Sequence, residues 1–92
     1  MKHQEQALQI QPDSACAHND LGLAYGKSGK HREAIKAFKE AILVKPDYAE
    51  AHYNLAITYL ILKDRKAALV EYSVLKNLDQ QMAIRLFDLI HI

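Results

Sequence analysis

Cys16 and His18 are the first pair of residues in the chain whose types suggest catalysis, because a thiol activated by an imidazole is a common nucleophile. Residues two apart on a helix point in different directions, so this imidazole is not expected to reach the thiol. Cys16 is also the single cysteine, so no intramolecular disulfide can form. The pattern favours a small, unreactive thiol, and we expect the chain not to be an enzyme.

The segment from Gly22 to Ser28 has the lysine and glycines of a phosphate-binding loop. That motif needs four residues between its glycines and a strand before them, whereas this segment has three residues between Gly22 and Gly26 and a helical pattern around them. We interpret Gly22 instead as a small residue that lets two helices approach closely.

Five histidines raise the possibility of a metal site. His18 and His52 have no second ligand at three or four residues along their own helices, and a closed zinc site needs about four converging ligands. His3, His31 and His91 are scattered. We therefore expect packing or surface histidines, no metal and no cofactor.

Composition narrows the class of protein. The 92 residues are 50% hydrophobic and 25% charged, which is typical of one globular domain. The net charge of +1 gives no sign of nucleic-acid binding. The longest apolar run, 56–62, is too short to cross a membrane, and no signal peptide is visible. We expect a soluble, cytoplasmic chain, although a fragment of a longer protein has the same appearance.

An internal repeat of thirty-four residues organises the chain. Aligning residues 12–45 on 46–79 gives identical residues at helical spacings, and such a period is a signature of repeat architectures. The identical pairs are Pro12/Pro46, Asp13/Asp47, Ala15/Ala49, Ala17/Ala51, His18/His52, Leu21/Leu55, Tyr25/Tyr59 and Ala34/Ala68.

Apolar residues inside each unit recur with the period of two helices. Gly29 suits a left-handed helix end, and Pro46 ends the next helix. Asp13, Asp47 and Asp79 are predicted N-caps, with Glu50 completing a capping box after Asp47. The pattern predicts six helices, near residues 2–10, 15–28, 31–44, 49–62, 65–78 and 80–91.

The unit resembles the tetratricopeptide repeat. The residues that carry the resemblance are Leu21, Gly22, Tyr25, Ala34, Phe38, Ala41 and Pro46 in the first unit, and Leu55, Tyr59, Ala68 and Tyr72 in the second. It implies an all-α fold, a right-handed superhelix of about six antiparallel helices in one domain, 1–92. Residues 1–11 would be the second helix of a partial repeat, 15–48 and 49–82 the two repeats, and 80–91 a capping helix that overlaps the second.

The repeat phase also predicts which side chains are buried. The last helix has a stripe expected to dock on the second repeat, with Met82, Ile84 and Leu89 less buried. That stripe is Ala83, Leu86, Phe87 and Ile90. The predicted core residues are Leu21, Tyr25, Phe38, Leu55, Tyr59, Leu69 and Tyr72.

A second apolar face on the 49–62 helix predicts a binding surface, because a helix that is apolar on two sides is either sandwiched or offers one side to a partner. In the family this side lines a concave groove. Basic residues cluster at the helix turns near Lys27 and Lys63, and acidic residues at the opposite turns. They either guide a partner or serve solubility and complement helix dipoles. The predicted groove residues are Asn19, Leu23, Lys27, Tyr53, Asn54, Ile57, Leu60 and Ile61.

The resemblance implies a protein–protein interaction scaffold that binds a peptide or helix of another protein in this groove. The alternative is a structural segment that stacks on other repeats or self-associates, so we expect a monomer or a weak homo-oligomer. Within the groove itself, the alternative is that the final helix folds back and fills it.

Overall fold

The computed structural model describes residues 14–92. In these residues the chain forms five α-helices and no strand. The helices are α1 (Ala15–Lys27), α2 (His31–Val44), α3 (Ala49–Ile61), α4 (Arg65–Leu78) and α5 (Gln80–Ile90). The all-α prediction is confirmed, and the five boundaries agree with the sequence pattern to within one residue. The predicted helix near residues 2–10 lies outside the described residues.

Side-chain caps begin three of the helices. Ser14 Oγ accepts from the Ala17 amide at 3.3 Å before α1, and Asp64 Oδ1 accepts from the Ala67 amide at 3.1 Å before α4. The predicted cap at Asp79 is confirmed, because its Oδ1 accepts from the Met82 amide at 3.1 Å. Each bond satisfies one of the amides that a helix start leaves without a partner.

The predicted cap at Asp47 is wrong. The residue that precedes α3 is Tyr48, and its side chain makes no capping hydrogen bond. The helix begins one residue later than Asp47 requires, so neither Asp47 nor Glu50 forms the predicted capping box. Asp13, the third predicted cap, lies outside the described residues.

The two turns inside the repeats share one backbone conformation. Gly29 has φ 78° and Lys63, thirty-four residues later, has φ 65°. The left-handed conformation lets the Lys30 amide bond the Tyr25 carbonyl at 2.9 Å and the Asp64 amide bond the Tyr59 carbonyl at 2.8 Å. The prediction for Gly29 is confirmed. Lys63 adopts the same geometry, but its Cβ makes the left-handed conformation less favourable than it is for glycine.

The helices alternate between two layers. Consecutive helices pack on each other along the chain, and α3 also contacts both α1 and α5. The first helices of the pairs, α1, α3 and α5, therefore lie side by side, with α2 and α4 packed against them. This arrangement brings the exposed residues of α1 and α3 onto one surface.

Two clusters of buried side chains hold the layers together. The first joins Ala34 and Phe38 of α2 to Leu55 of α3. The second joins α3, α4 and α5 through Ala56, Ala68, Leu75, Ala83, Leu86 and Ile90. Tyr59, half-buried on α3, packs against both clusters.

Gly22 brings α1 and α2 close together. A Cβ atom at this position would lie 2.5 Å from Cε1 of Phe38, which is closer than two carbon atoms can approach. The absence of a side chain lets the Phe38 ring lie against the α1 backbone. The interpretation of Gly22 as a packing glycine is confirmed.

The predicted core is correct in part. Phe38 and Leu55 are buried, and three tyrosines are half-buried, with the rings of Tyr25, Tyr59 and Tyr72 against the clusters. Leu21 and Leu69 were predicted to be buried, but they are 46% and 40% exposed. Both lie on repeat faces for which the described residues supply too little cover.

The final helix docks on the second repeat as predicted, through Ala83, Leu86 and Ile90. Phe87 is the exception, because it is 44% exposed and lies at the side of the interface, 5.6 Å from the Tyr72 ring. Met82 is half-buried against the second cluster, and Ile84 and Leu89 are exposed, so all three are less buried than Ala83, Leu86 and Ile90, as predicted. The buried stripe is narrower than predicted because Phe87 lies outside it.

Candidate partner-binding groove

Adjacent faces of α1 and α3 enclose a shallow cavity. Leu23 on α1 and Ile61 on α3 are exposed apolar residues at its sides, and Ile57 is half-buried between them. The cavity has a volume of about 220 Å³. Its lining residues are Leu23, Gly26, Lys27, His31, Asn54, Ile57, Thr58 and Ile61.

Five of the eight residues predicted for the groove lie around this cavity. They are Leu23, Lys27, Asn54, Ile57 and Ile61. Their sequence positions suffice to bring them together, because α1 and α3 are the same helix of successive repeats and present equivalent faces to the same side.

The other apolar groove residues, Tyr53 and Leu60, turn toward α5. Both are half-buried against the cluster that contains Leu86 and Ile90. Leu60 also borders a second cavity of about 630 Å³ at the end of α5, together with Lys63, Arg65, Leu89, Ile90 and Ile92. The final helix thus covers part of the predicted surface and leaves the α1–α3 part open.

Asn19 supports the groove from within. It is 1% exposed, and its Oδ1 accepts a hydrogen bond from Asn54 Nδ2 at 3.1 Å. This bond links α1 to α3 and fixes the Asn54 amide at the cavity wall. Buried polar groups normally have such partners, and the environment of Asn19 is that of a positioning residue.

Three residues of the cavity were not among those predicted: Gly26, His31 and Thr58. Thr58 Oγ1 donates to the Asn54 carbonyl at 2.9 Å, a bond within α3 that apolar periodicity does not reveal. His31 could have been predicted from the sequence, because it belongs to the cluster of basic residues at the turn after α1. Its Nδ1 is buried and has no hydrogen-bond partner within residues 14–92.

Opposite charges lie at the two ends of the groove. Lys27 lies at the end of α1, and Lys63 directly follows α3, so both are at the basic end. Glu50 lies in the first turn of α3, and Asp20 lies about one turn into α1. Burial raises the pKa of the Tyr48 phenol above its ordinary value of 10.0, and the nearby Cys16, Glu50 and Asp20 raise it further. Burial is the largest cause of this rise in pKa, and the neighbouring side chains add to it.

His52 is a structural histidine. Its Nε2 lies 2.8 Å from the Pro46 carbonyl and its Nδ1 lies 2.6 Å from Glu71 Oε1. The two bonds tie α3 to the preceding turn and to α4, and they occupy both ring nitrogens. In the part of the chain that the structure describes, no three side chains of His, Cys, Asp or Glu gather as metal ligands would.

Comparison with protein families identifies the repeat. A family model described as TPR repeat matches residues 27–62, which include all of α2 and α3. Residues 27–62 therefore resemble a TPR repeat. TPR repeats are non-catalytic scaffolds that generally mediate protein–protein interaction. A comparison with curated proteins gave no significant match.

The matched TPR segment contains the α3 side of the groove, including Asn54, Ile57 and Ile61, together with Lys27. Within residues 14–92, no helix is both long enough and apolar enough to span a bilayer.

Proposed function

We propose that this chain binds an amphipathic helix or extended peptide of a partner protein in the groove between α1 and α3. The observation that carries the proposal is the cavity lined by Leu23, Ile57 and Ile61. Exposed apolar residues that share one concave surface are typical of a site for another protein, whereas scattered ones are not.

The groove combines apolar and polar contacts. Ile61 is 52% exposed at its side, which leaves apolar area for a partner side chain to cover. Asn54 at its wall carries amide groups that can bond a peptide backbone, and Asn19 holds them in place. Tyr53 and Leu60 lie on the α5 side of α3, where they pack against the second cluster.

The charges favour a partner with a defined direction. A peptide with acidic residues near Lys27 and Lys63 and basic residues near Asp20 and Glu50 complements both ends of the groove. Such complementarity acts on association rate and orientation more than on affinity. Its screening by salt distinguishes it from the apolar contacts.

A second candidate function is stacking on another repeat or on a second copy of the chain. The exposure of Leu69 and Phe87 on α4 and α5 favours it, because these large apolar side chains are 40% and 44% exposed and offer apolar area to a neighbouring repeat. Light scattering separates the two functions. Self-stacking makes the average mass rise with concentration, whereas a groove-binding module keeps the mass of one chain.

A displayed library of amphipathic peptides tests the proposed groove. Peptides selected on the native chain are assayed against the double variant Leu23→Ser with Ile61→Ser. The matched control, Leu43→Ser with Val70→Ser, makes the same kind of change at two exposed residues of α2 and α4 that are not among the groove residues. We expect the groove variant to lose about tenfold or more in affinity, as the loss of central apolar contacts does.

The control variant is expected to retain affinity within about twofold, because exposed rim substitutions have small effects. Circular dichroism checks that both variants remain helical. Equal affinity of the groove variant and the native chain for every selected peptide would contradict the proposal.

A further inference from the structure

The cavity at the end of α5, here called the α5-end cavity, is lined by two kinds of side chain. Leu60, Leu89 and Ile90 form an apolar wall, and Leu89 is exposed. Lys63 and Arg65 line the same cavity, one in the turn before α4 and the other at the first residue of that helix. Its volume of about 630 Å³ is comparable with that of pockets that bind ligands.

The two cations at this cavity have no anionic partner within residues 14–92. In this part of the chain, the one acidic side chain within ion-pair distance of a basic one is Glu71, which lies against His52. Asp64 stands between Lys63 and Arg65 in the sequence, but its carboxylate caps α4 and it does not line the cavity. The cavity therefore offers positive charge and apolar area together, both without a complement in the described residues.

The backbone of Lys63 is a second and independent indication. Its φ of 65° is left-handed, and within residues 14–92 it is the one residue other than glycine with a positive φ. Gly29 occupies the equivalent place in the first repeat at φ 78°. A residue with a Cβ is less stable in this conformation, and such strain is concentrated at functional sites. Binding by its ammonium group gives a reason for a lysine at a position that favours glycine.

We propose that the α5-end cavity binds a segment of a partner protein in which an acidic residue adjoins a large apolar residue. The carboxylate lies between Lys63 and Arg65, and the apolar side chain covers Leu60 and Leu89. A carboxylate accepts charge-assisted hydrogen bonds from both cations, and an arginine can bind it through two parallel bonds. The inference rests on the proposed function in one respect, that the partner is a protein. The cavity itself shares no lining residue with the groove between α1 and α3.

Two displayed peptide libraries test the α5-end cavity. One has a fixed central Glu-Leu pair among randomised positions, and the other has Gln-Leu in the same place, so that the fixed pairs differ by one charge. We expect the native chain to enrich the Glu-Leu library over the other. The affinity of the enriched peptides is then measured for Lys63→Gly and for Arg65→Gln. Each variant is expected to lose about fivefold or more, because it removes one of the two cations from a carboxylate that binding partly desolvates.

Lys66→Gln is the matched control for Arg65→Gln. Lys66 is the next residue of α4 and is exposed, but it does not line the cavity. Both variants remove one positive charge, so the control is expected to retain affinity within about twofold if the contact is local. Lys63→Gly is not expected to weaken folding, because a glycine already forms the equivalent turn at Gly29. Urea denaturation checks that its unfolding equilibrium constant does not rise.

Equal enrichment of the two libraries would overturn this inference, and so would unchanged affinity of the Glu-Leu peptides in both cavity variants. An equal loss in Lys66→Gln would also overturn it, because net charge alone would then explain the binding. The groove variant Leu23→Ser with Ile61→Ser is assayed in parallel. Peptides that lose affinity only in the groove variant overturn this inference and support the proposed function. Peptides that lose affinity only in Lys63→Gly and Arg65→Gln support the α5-end cavity, whatever the result of the groove test.

Discussion

The hydrogen bonds of His52 use both nitrogens of its ring. The Pro46 carbonyl can only accept, so Nε2 donates to it. The second nitrogen, Nδ1, shares a hydrogen bond with Glu71 Oε1 at 2.6 Å. His52 therefore forms a bridge between α3 and α4. The equivalent of Glu71 in the first repeat is Ala37, so His18 has no such carboxylate at that position.

We expect His52 and Glu71 to be energetically coupled. Replacing either by alanine leaves the buried His52 or the half-buried Glu71 without its bond, which costs about 1–3 kcal/mol. Replacing both removes the pair, so the double variant should lose less stability than the two single losses added together. Urea denaturation of the four chains measures the coupling. Additive losses would show that the bridge contributes nothing to stability.

Tyr48 gives the molecule a defined response to alkaline pH. Its raised pKa means that the folded protein keeps the phenol proton at a pH where the unfolded chain has lost it. The free energy of unfolding therefore falls as pH rises from about 10 through the raised pKa. In Tyr48→Phe this component is absent, so the stability difference between the two chains should be constant below about pH 9 and change above it. A difference that stays flat to pH 11 contradicts the assignment.

The sequence predicted the apolar residues of the groove but not the burial of its polar residue Asn19. Leu23, Ile57 and Ile61 were predictable because apolar spacing places them on one helix face. The burial of Asn19 was not, because it depends on a hydrogen bond to Asn54, thirty-five residues away. A polar side chain at a groove position does not reveal whether it faces a partner or a neighbouring helix.

At the scale of the helices, α1 contains a natural pair of test sites. Gly22 and Gly26 lie four residues apart in the same helix, but a Cβ at Gly22 meets Phe38 whereas one at Gly26 has no atom within 4 Å. Gly26→Ala should stabilise the protein by about 0.5–1 kcal/mol, because alanine favours helix. Gly22→Ala should instead destabilise it, with overpacking costs of about 1–3 kcal/mol. Thermal unfolding compares the two, and equal shifts would show that α1 and α2 are not in close contact.

The docking of α5 gives a second prediction at this scale. Leu86 is fully buried between α3 and α4, whereas Ile84 on the same helix is 58% exposed. Leu86→Ala should cost about 2–5 kcal/mol, as truncating a buried leucine does. Ile84→Ala should change stability by about 0.5 kcal/mol or less. If the two costs are similar, α5 is not docked through this stripe.

Helix boundaries were predictable from sequence because the signals that set them are local. The Asp79 side chain caps α5 by accepting a hydrogen bond from an amide three residues later. Gly29 forms the turn after α1 by adopting a positive φ angle, which depends on its own backbone alone. Burial is a property of neighbours, and for that reason the sequence placed Leu21 and Leu69 in the core incorrectly. Asp47 shows where local signals fail to predict a cap. The helix begins one residue later than predicted, and in that position the Asp47 side chain makes no capping hydrogen bond.

At the scale of the described residues, Tyr59 is a side chain that packs against both clusters. Repeat proteins unfold as coupled units whose cooperation depends on such contacts. Tyr59→Ala should therefore let the amides of α5 exchange hydrogen separately from those of α2. Tyr53→Ala provides the control, because Tyr53 packs against the second cluster. The measurement is native-state hydrogen exchange with mass spectrometry. Uniform acceleration of both helices in Tyr59→Ala would mean that other contacts carry the coupling.

Cys16 offers a direct way to learn which way a bound peptide runs. It is the single cysteine of the chain and is exposed on the first turn of α1. Its Sγ atom lies 3.8 Å from Asp20 Oδ2. A fluorophore attached there stands at the acidic end of the groove without any engineered mutation. Energy transfer is then measured to an acceptor on the N-terminus or the C-terminus of a bound peptide. The terminus that gives the shorter distance is the one nearer to Cys16, which shows the direction in which the peptide runs.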